Sequence, residues 1–189
     1  KEQRFKNIQD AKKARIAYVP EDRLSEGLFM QRSLKDNFSA ATIDRKKKKS
    51  GLVDFEKVTE EAVCRIKELN INASGPDVLA STFSGGNQQR IVIGKWLATD
   101  PEILILNGPT VGVDIKSKSE IHHILRELAA KGMCIILISD DVGEILSTTN
   151  RVLVMNGGRI IFESKTAETN ATILNQKILQ DMSGEEQRK

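Results

Sequence analysis

Between Pro101 and Ile138 the chain runs apolar strand, amphipathic helix, apolar strand, and this order constrains the fold more than any other feature. Ile103-Leu104-Ile105-Leu106 is a continuous apolar run. Ile121, Ile124, Leu125 and Leu128 follow at helical spacing, and Gly132 stands at the C′ position that ends such a helix. Cys134 to Ile138 is a second apolar run, and Ile16-Ala17-Tyr18-Val19, stopped by Pro20, is another. Apolar strands alternating with helices predict a parallel sheet covered on both faces. Near the C-terminus, Val152 to Met155 and Ile160 to Phe162 flank Asn156-Gly157-Gly158, which predicts a hairpin adding an antiparallel edge.

The segment from Leu34 to about Leu97 interrupts this alternation and reads as an all-helical insertion. Val58, Ala62, Ile66 and Leu69 mark one helix face, Ser74-Gly75-Pro76 breaks the chain, and a further helix runs from about Gly86 to Leu97. Lys1 to Lys13 is polar and shows no element start, so the chain is expected to begin in mid-domain. The tail from Glu185 to Lys189 is expected to fray.

Composition excludes several classes. The chain has 189 residues, enough for one domain, and is 39% hydrophobic and 29% charged, as soluble globular proteins are. A net charge of +3 does not by itself argue for nucleic acid. The run Arg45 to Lys49 reads as a solvated loop, with contact to anionic lipid or nucleic acid as the second reading. Cys64 and Cys134, isolated among apolar residues, make neither a disulfide framework nor a metal site and suit a reduced, cytoplasmic compartment. No apolar run approaches the roughly 20 residues that span a bilayer, and no signal peptide is visible, so any membrane link is expected through a partner. His122 and His123 are adjacent on a helix and read as surface positions, not metal ligands. Trp96 reads as helix packing.

Chemistry concentrates at Phe83-Ser84-Gly85-Gly86-Asn87-Gln88-Gln89-Arg90. Paired glycines allow a backbone to approach something closely, and a helix starts straight after them. The first amides of that helix lack internal partners, which makes its N-terminus an anion site, and Ser84 can donate its hydroxyl to a phosphate oxygen. The plainer alternative is a serine N-cap with two loop glycines. Downstream, the apolar strand Ile103 to Leu106 leads into Asn107-Gly108-Pro109-Thr110 and then Gly112-Val113-Asp114.

This order resembles the ATP-binding-cassette (ABC) ATPase family over nearly the whole chain. Phe83 to Asn87 matches the family's LSGGQ signature, with Gln88 continuing it. Ile103 to Leu106 matches the Walker B strand, and Gly112-Val113-Asp114 the D-loop. Tyr18-Val19-Pro20-Glu21-Asp22-Arg23 is similar to the Q-loop region in the second ATPase half of ribose- and galactose-type carbohydrate importers, with Glu21 where other members have Gln. The resemblance implies an α/β fold, a P-loop NTPase-like parallel sheet core lacking its N-terminal P-loop part, with a helical signature subdomain and a C-terminal hairpin. It implies one partial domain: 1–33 as Q-loop region, 34–98 as signature subdomain, 99–166 as Walker B, D-loop and switch core, and 167–189 as C-terminal helix and tail.

The departures from the family pattern carry as much information. No Walker A loop, GxxxxGK[ST], occurs in the sequence. Where the Walker B strand should end in Asp then Glu, this chain has Asn107 and Gly108, an uncharged ligand for a hard cation and no side chain to polarise water. Where the switch histidine should follow Ser139 stands Asp140, although Asp140 and Asp141 also suit a helix cap. The resemblance therefore implies a chain inactive alone, with no metal ligand of its own and a degenerate ATP site. Its Ser84, Gly85, Gly86, Asn87 and Gln88 would contact ATP and Mg²⁺ held mainly by a partner, with Glu21 at the Q-loop position and Asp114 crossing the dimer interface. The implied partners are the N-terminal ATPase half of the same subunit or a second copy, a membrane permease and, indirectly, a sugar-binding protein. The implied place is the inner face of the cell membrane. An ABC-type ATPase acting on nucleic acid or ribosomes, and a non-enzymatic scaffold, are the alternatives; no long heptad run supports the former.

Overall fold

The structure, a computed structural model, describes residues 4–185, with side chains described through residue 179. Two compact units meet in sequence between Ile138 and Ser139.

The first unit is built on a three-stranded parallel sheet. Strand β1 (Ile16–Val19) pairs with β2 (Ile103–Asn107), which pairs with β3 (Cys134–Ile138), in the spatial order β1-β2-β3. The register sets Ile16 beside Ile103 and Ile103 beside Cys134. Pairing β1 with β2 brings together residues more than eighty positions apart, so the whole helical segment between them is an excursion from the sheet. That excursion holds α2 (Leu34–Ala40), α3 (Phe55–Glu68) and α4 (Gly85–Leu97). Helix α5 (Ile115–Ala130) crosses from β2 to β3.

One core joins sheet and helices. Ala17 and Val19 of β1, Leu104 and Leu106 of β2, Ile91, Val92 and Ile93 of α4, and Ile121 and Leu125 of α5 are buried together. The face of α3 that spacing marked is the packed one: Val58, Ala62 and Leu69 are buried and Ile66 partly so. Local chemistry fixes the helix ends. Ser33 and Asp36 form a reciprocal capping box at α2, and Asp54 and Asp114 accept amide hydrogens at the starts of α3 and α5. Gly132 takes a φ of +96° beyond α5, and the Met133 amide returns to Leu128 O at 3.2 Å, the Schellman closure.

Several expectations are corrected. Residues 8–13 do form a helix, α1, because the Asn7 side chain accepts from the Asp10 amide at 3.0 Å. Within the first unit the two faces of the sheet differ in cover. The core helices pack on the Ala17, Leu104 and Leu137 side, leaving Tyr18, Ile136 and Ile138 about half exposed on the other. Cys64 and Cys134 are exposed, because each points away from the packed face of its element. His122 is buried beside Ile121, while His123 is exposed and lies 3.2 Å from Glu127. Lys46 is buried, its charge answered by Glu61 of α3, so Arg45 to Lys49 is not wholly a solvated loop.

The second unit holds α6 (Val142–Thr148), β4 (Arg151–Asn156), β5 (Arg159–Lys165) and α7 (Ala171–Glu185). The predicted hairpin is β4–β5, with Gly157 and Gly158 both at positive φ in a two-residue turn. It forms its own two-stranded sheet instead of an edge on the parallel one. Val152, Val154 and Leu174 make a small separate core with partly buried Ile145 and Phe162. Of the tail expected to fray, Glu185 ends α7, and Glu186 to Lys189 lie outside the described residues.

Candidate functional site

Four short segments from three distant stretches of the sequence converge within the first unit. They are Glu21–Arg23 after β1, Ser84–Asn87 at the start of α4, Asn107–Gly108 at the end of β2, and Val111–Asp114 before α5. The polar residue types in each loop decide how they interlock.

Ser84 occupies the N-cap position of α4 in extended conformation, yet its hydroxyl accepts no backbone hydrogen bond. It instead accepts from Asn87 Nδ2 at 3.3 Å. The first amide of α4 to reach a carbonyl is that of Gln88, 2.9 Å from Ser84 O. The amides of Gly85, Gly86 and Asn87 therefore point out of the helix end, where its dipole favours negative charge. Ser84 is exposed and Gly85 half-buried, so this corner can be reached from outside. Gln88 is buried, and the Asn87 Oδ1 atom is buried without a partner among the described residues.

The two glycines serve different contacts. A Cβ on Gly86 would lie 2.2 Å from Ser117 Oγ and 2.3 Å from Ser117 Cβ, so Gly86 is the point where α4 touches α5. A Cβ on Gly85 would lie 2.9 Å from an Arg23 guanidinium nitrogen and 3.2 Å from Gly112 O. The close approach that glycine permits is, at Gly86, the approach of a neighbouring helix.

Arg23 ties the loops together. It donates to Val111 O at 2.9 Å and Gly112 O at 3.4 Å, directly beside Gly85. Asp22 holds the following turn, Arg23–Gly27, by accepting from the Leu24 amide at 2.9 Å and the Ser25 hydroxyl at 2.7 Å. The Ser25 hydroxyl, helped by the Ser25 and Leu24 amides, holds the Asp22 carboxyl below its ordinary range. Asp114 accepts from the Ser117 amide at 2.9 Å. That amide, then the Ser117 hydroxyl, lowers the Asp114 carboxyl likewise.

At the end of β2, Gly108 takes a φ of +51° and donates its amide to Ile138 O at 2.9 Å. Glu21 lies against it: a Cβ at 108 would sit 3.1 Å from Glu21 Cγ and 3.0 Å from Val111 Cγ2. Asn107 is half-buried. No group of three or more His, Cys, Asp or Glu able to hold a metal ion occurs among the described residues. The donors here, an Asn amide and the single Glu21 carboxylate, do not fit a hard dication. The donors at the α4 corner, amides and a hydroxyl with Arg23 behind them, do fit a polyanion.

Asp140 belongs to the second unit and is exposed. The cap of α6 is Asp141, which accepts from the Glu144 amide at 2.9 Å, while Ser139 donates to Glu144 Oε2 at 2.5 Å.

Sequence reasoning missed two residues of this region. Ser117 carries no motif signal, and only its place in the first turn of α5 sets it against Gly86. Lys95, on α4, is buried, donates to Gly27 O and lies 5.6 Å and 5.4 Å from the ring centres of Phe29 and Trp96. Burial pushes its ammonium below the ordinary lysine value. It joins α4 to the end of the turn that begins at Arg23.

Known proteins share the fold. The profile of the ABC transporter family matches residues 1–111. The galactose/methyl galactoside import ATP-binding protein MglA of Treponema pallidum is 38% identical over 172 residues, which is 90% of this chain and 34% of that protein. The ribose import ATP-binding protein RbsA of Lacticaseibacillus paracasei is 41% identical over 167 residues, 87% of this chain and 33% of that protein. This chain thus spans about a third of the length of these curated relatives. Among solved structures, an ATP-binding cassette of an ABC transporter in its ADP conformation matches with a TM-score of 0.74 at 21% identity, covering 92% of this chain and 70% of that one. A dimeric cassette in a post-hydrolysis state with ADP and phosphate matches with a TM-score of 0.68 at 21% identity, covering 85% and 68%. With a family profile over more than half its residues and this fold, the chain belongs to the ABC transporter ATP-binding family.

Proposed function

We propose that this chain is part of the second ATPase half of a sugar importer, and that its α4 corner closes over an ATP held by a partner half. The observation that carries this is the α4 N-terminus: outward amides at Gly85 to Asn87, an exposed Ser84, and Arg23 locking the neighbouring D-loop. The ATP phosphates supply the negative charge; the chain supplies donors already fixed in place, which bind without reorganising. Arg23 holds Val111 and Gly112 so that Asp114 follows at the dimer face. The names of the relatives, ribose and galactose import proteins, favour a sugar as cargo, a membrane permease and a sugar-binding protein as further partners, and a place at the inner face of the membrane.

The chain's own ATP site is degenerate in this reading. Asn107 gives magnesium no charge, Gly108 gives water no base, and Asp140 replaces a cation donor with an anion. Residues 1–33, 34–98, 99–166 and 167–189 are then the Q-loop, signature, catalytic-core and C-terminal segments of one partial domain. None of the relatives described points to nucleic acid.

Mixing the chain with an intact partner half tests the reading. ATP turnover should rise on mixing, and the rise should be lost with Ser84→Ala. Calorimetry of the chain alone should give no micromolar ATP site. A tight site in the isolated chain, or turnover indifferent to Ser84→Ala, overturns the proposal.

A further inference from the structure

The basic run at Arg45 takes no part in the site above, and it is an ordered arm. Lys47 and Val53 form an antiparallel bridge, the Lys48 amide donates to Leu52 O at 2.7 Å, and the Gly51 amide donates to Lys48 O at 2.9 Å. Gly51 takes the φ of +83° that so tight a reversal needs. The base is anchored. Buried Lys46 pairs with Glu61, the Asp54 amide donates to Lys46 O at 2.8 Å, and Arg45 donates to Thr99 O at 3.4 Å.

The tip is free. Lys47, Lys48 and Lys49 are exposed, and beside them Leu52 is 71% and Phe55 70% exposed. The acids nearby are loosely engaged: Asp44 is 3.7 Å from Lys47 and Asp54 is 3.9 Å from Lys48, and Asp54 is also the cap of α3. From Asp44 to Lys57, six cations (Arg45, Lys46, Lys47, Lys48, Lys49, Lys57) stand against three acids (Asp44, Asp54, Glu56). With Glu61, the partner of Lys46, counted as a fourth acid, this leaves +2 on a segment of fourteen residues. Folding has fixed a short arm whose end combines concentrated positive charge with two large apolar side chains held in water.

We propose that this arm is a contact for an anionic lipid surface, its lysines at the headgroup phosphates and Leu52 and Phe55 in the interfacial layer. Lysine clusters beside bulky apolar residues suit that boundary, where the charges are drawn to anionic headgroups and the apolar groups leave water. Nucleic acid is the weaker match. The tip offers point charges without an arginine fork, one aromatic ring without a second to continue a stack, and a leucine that phosphate contact does not use.

Co-sedimentation of the full 189-residue chain with lipid vesicles tests this, and needs no nucleotide and no partner half. The chain should bind vesicles of mixed phosphatidylglycerol and phosphatidylcholine, and bind phosphatidylcholine alone far more weakly. Each lysine contributes about fivefold, so Lys47→Gln with Lys48→Gln and Lys49→Gln should weaken binding about a hundredfold. Leu52→Ser with Phe55→Ser should weaken the part of binding that survives added salt, because apolar burial is not screened. All five positions are exposed, and unchanged melting curves show that the variants fold. Failure of the wild-type chain to bind the anionic vesicles overturns the proposal. So does full binding by the triple lysine variant, or tighter binding to a duplex or single-stranded oligonucleotide than to the vesicles.

Discussion

Gly86→Ala separates two accounts of the glycine pair, because they predict opposite signs. Alanine at a helical position normally stabilises by about 1 kcal/mol over glycine. A ligand-clearance glycine would show that gain in the absence of ligand. In this structure the new Cβ falls 2.3 Å from Ser117 Cβ, against an ordinary contact of 3.4–4 Å, so α4 and α5 must part by more than about 1 Å or bend. Overpacking of this kind costs about 1–3 kcal/mol, and both atoms here lie close to backbone, which favours the upper end. The net expectation is a loss of about 2 kcal/mol, read as a midpoint lowered by about 1 M urea. The fluorescence of Trp96, the only tryptophan, reports from α4 itself. In a Ser117→Gly background the nearest remaining atom is Val113 Cγ1 at 3.6 Å, an ordinary contact. There the same Gly86→Ala change should turn neutral or stabilising, a coupling of about 2–3 kcal/mol in a double-mutant cycle. Gly86→Ala stabilising in the wild-type background, or the same effect in both backgrounds, refutes the helix-contact argument.

Two titrating groups give further checks. Lys95→Met should leave Gly27 O without its donor and cost about 1–3 kcal/mol near neutral pH, reduced by relief of a buried charge. Because folding lowers the Lys95 pKa, the unfolded chain holds more protons above the folded value, so wild-type stability should climb relative to Lys95→Met as pH rises towards 10.5. Urea midpoints of the two proteins that stay parallel from neutral to alkaline pH refute this. Asp114 has a lowered folded pKa, so its capping contribution is complete above the ordinary carboxylate value of 3.8 and is lost as pH falls through the folded value. Asp114→Asn keeps a capping oxygen but cannot titrate. The gap between the two thermal midpoints should therefore hold from neutral pH to about pH 4 and change only below it, and a gap that drifts between pH 5 and 8 refutes the assignment.

What could be read in the sequence was whatever one periodicity or one short motif contained. The strands β1, β2 and β3 announce themselves as apolar runs, and the buried stripes of α3 and α5 follow from spacing alone. Helix α1 was illegible because its only signal is Asn7 capping a polar stretch with no apolar face. Lys46 was illegible because one lysine of a run turns inward only when Glu61, well inside α3, is there to receive it. At the site each loop was legible separately. Their meeting was not, since Arg23 and Gly112 lie 89 positions apart and nothing near either marks the other.

The end of β2 shows why a motif position cannot be judged by its residue alone. Gly108 looks like the simple loss of a carboxylate. In the fold it has a φ of +51°, which costs a residue bearing a Cβ about 1–2 kcal/mol, and a Cβ there would lie 3.1 Å from Glu21 Cγ and 3.0 Å from Val111 Cγ2. Gly108 and Glu21 are thus packed against each other. A side chain at 108 would press on the Glu21 stem and on Val111. The same Glu21 begins the segment whose Arg23 grips Val111 and Gly112. Glu21 and Arg23 thus set one short segment against residues 108–112. The residue that looks in sequence like a lost carboxylate is, in the fold, a left-handed backbone position packed beside Glu21.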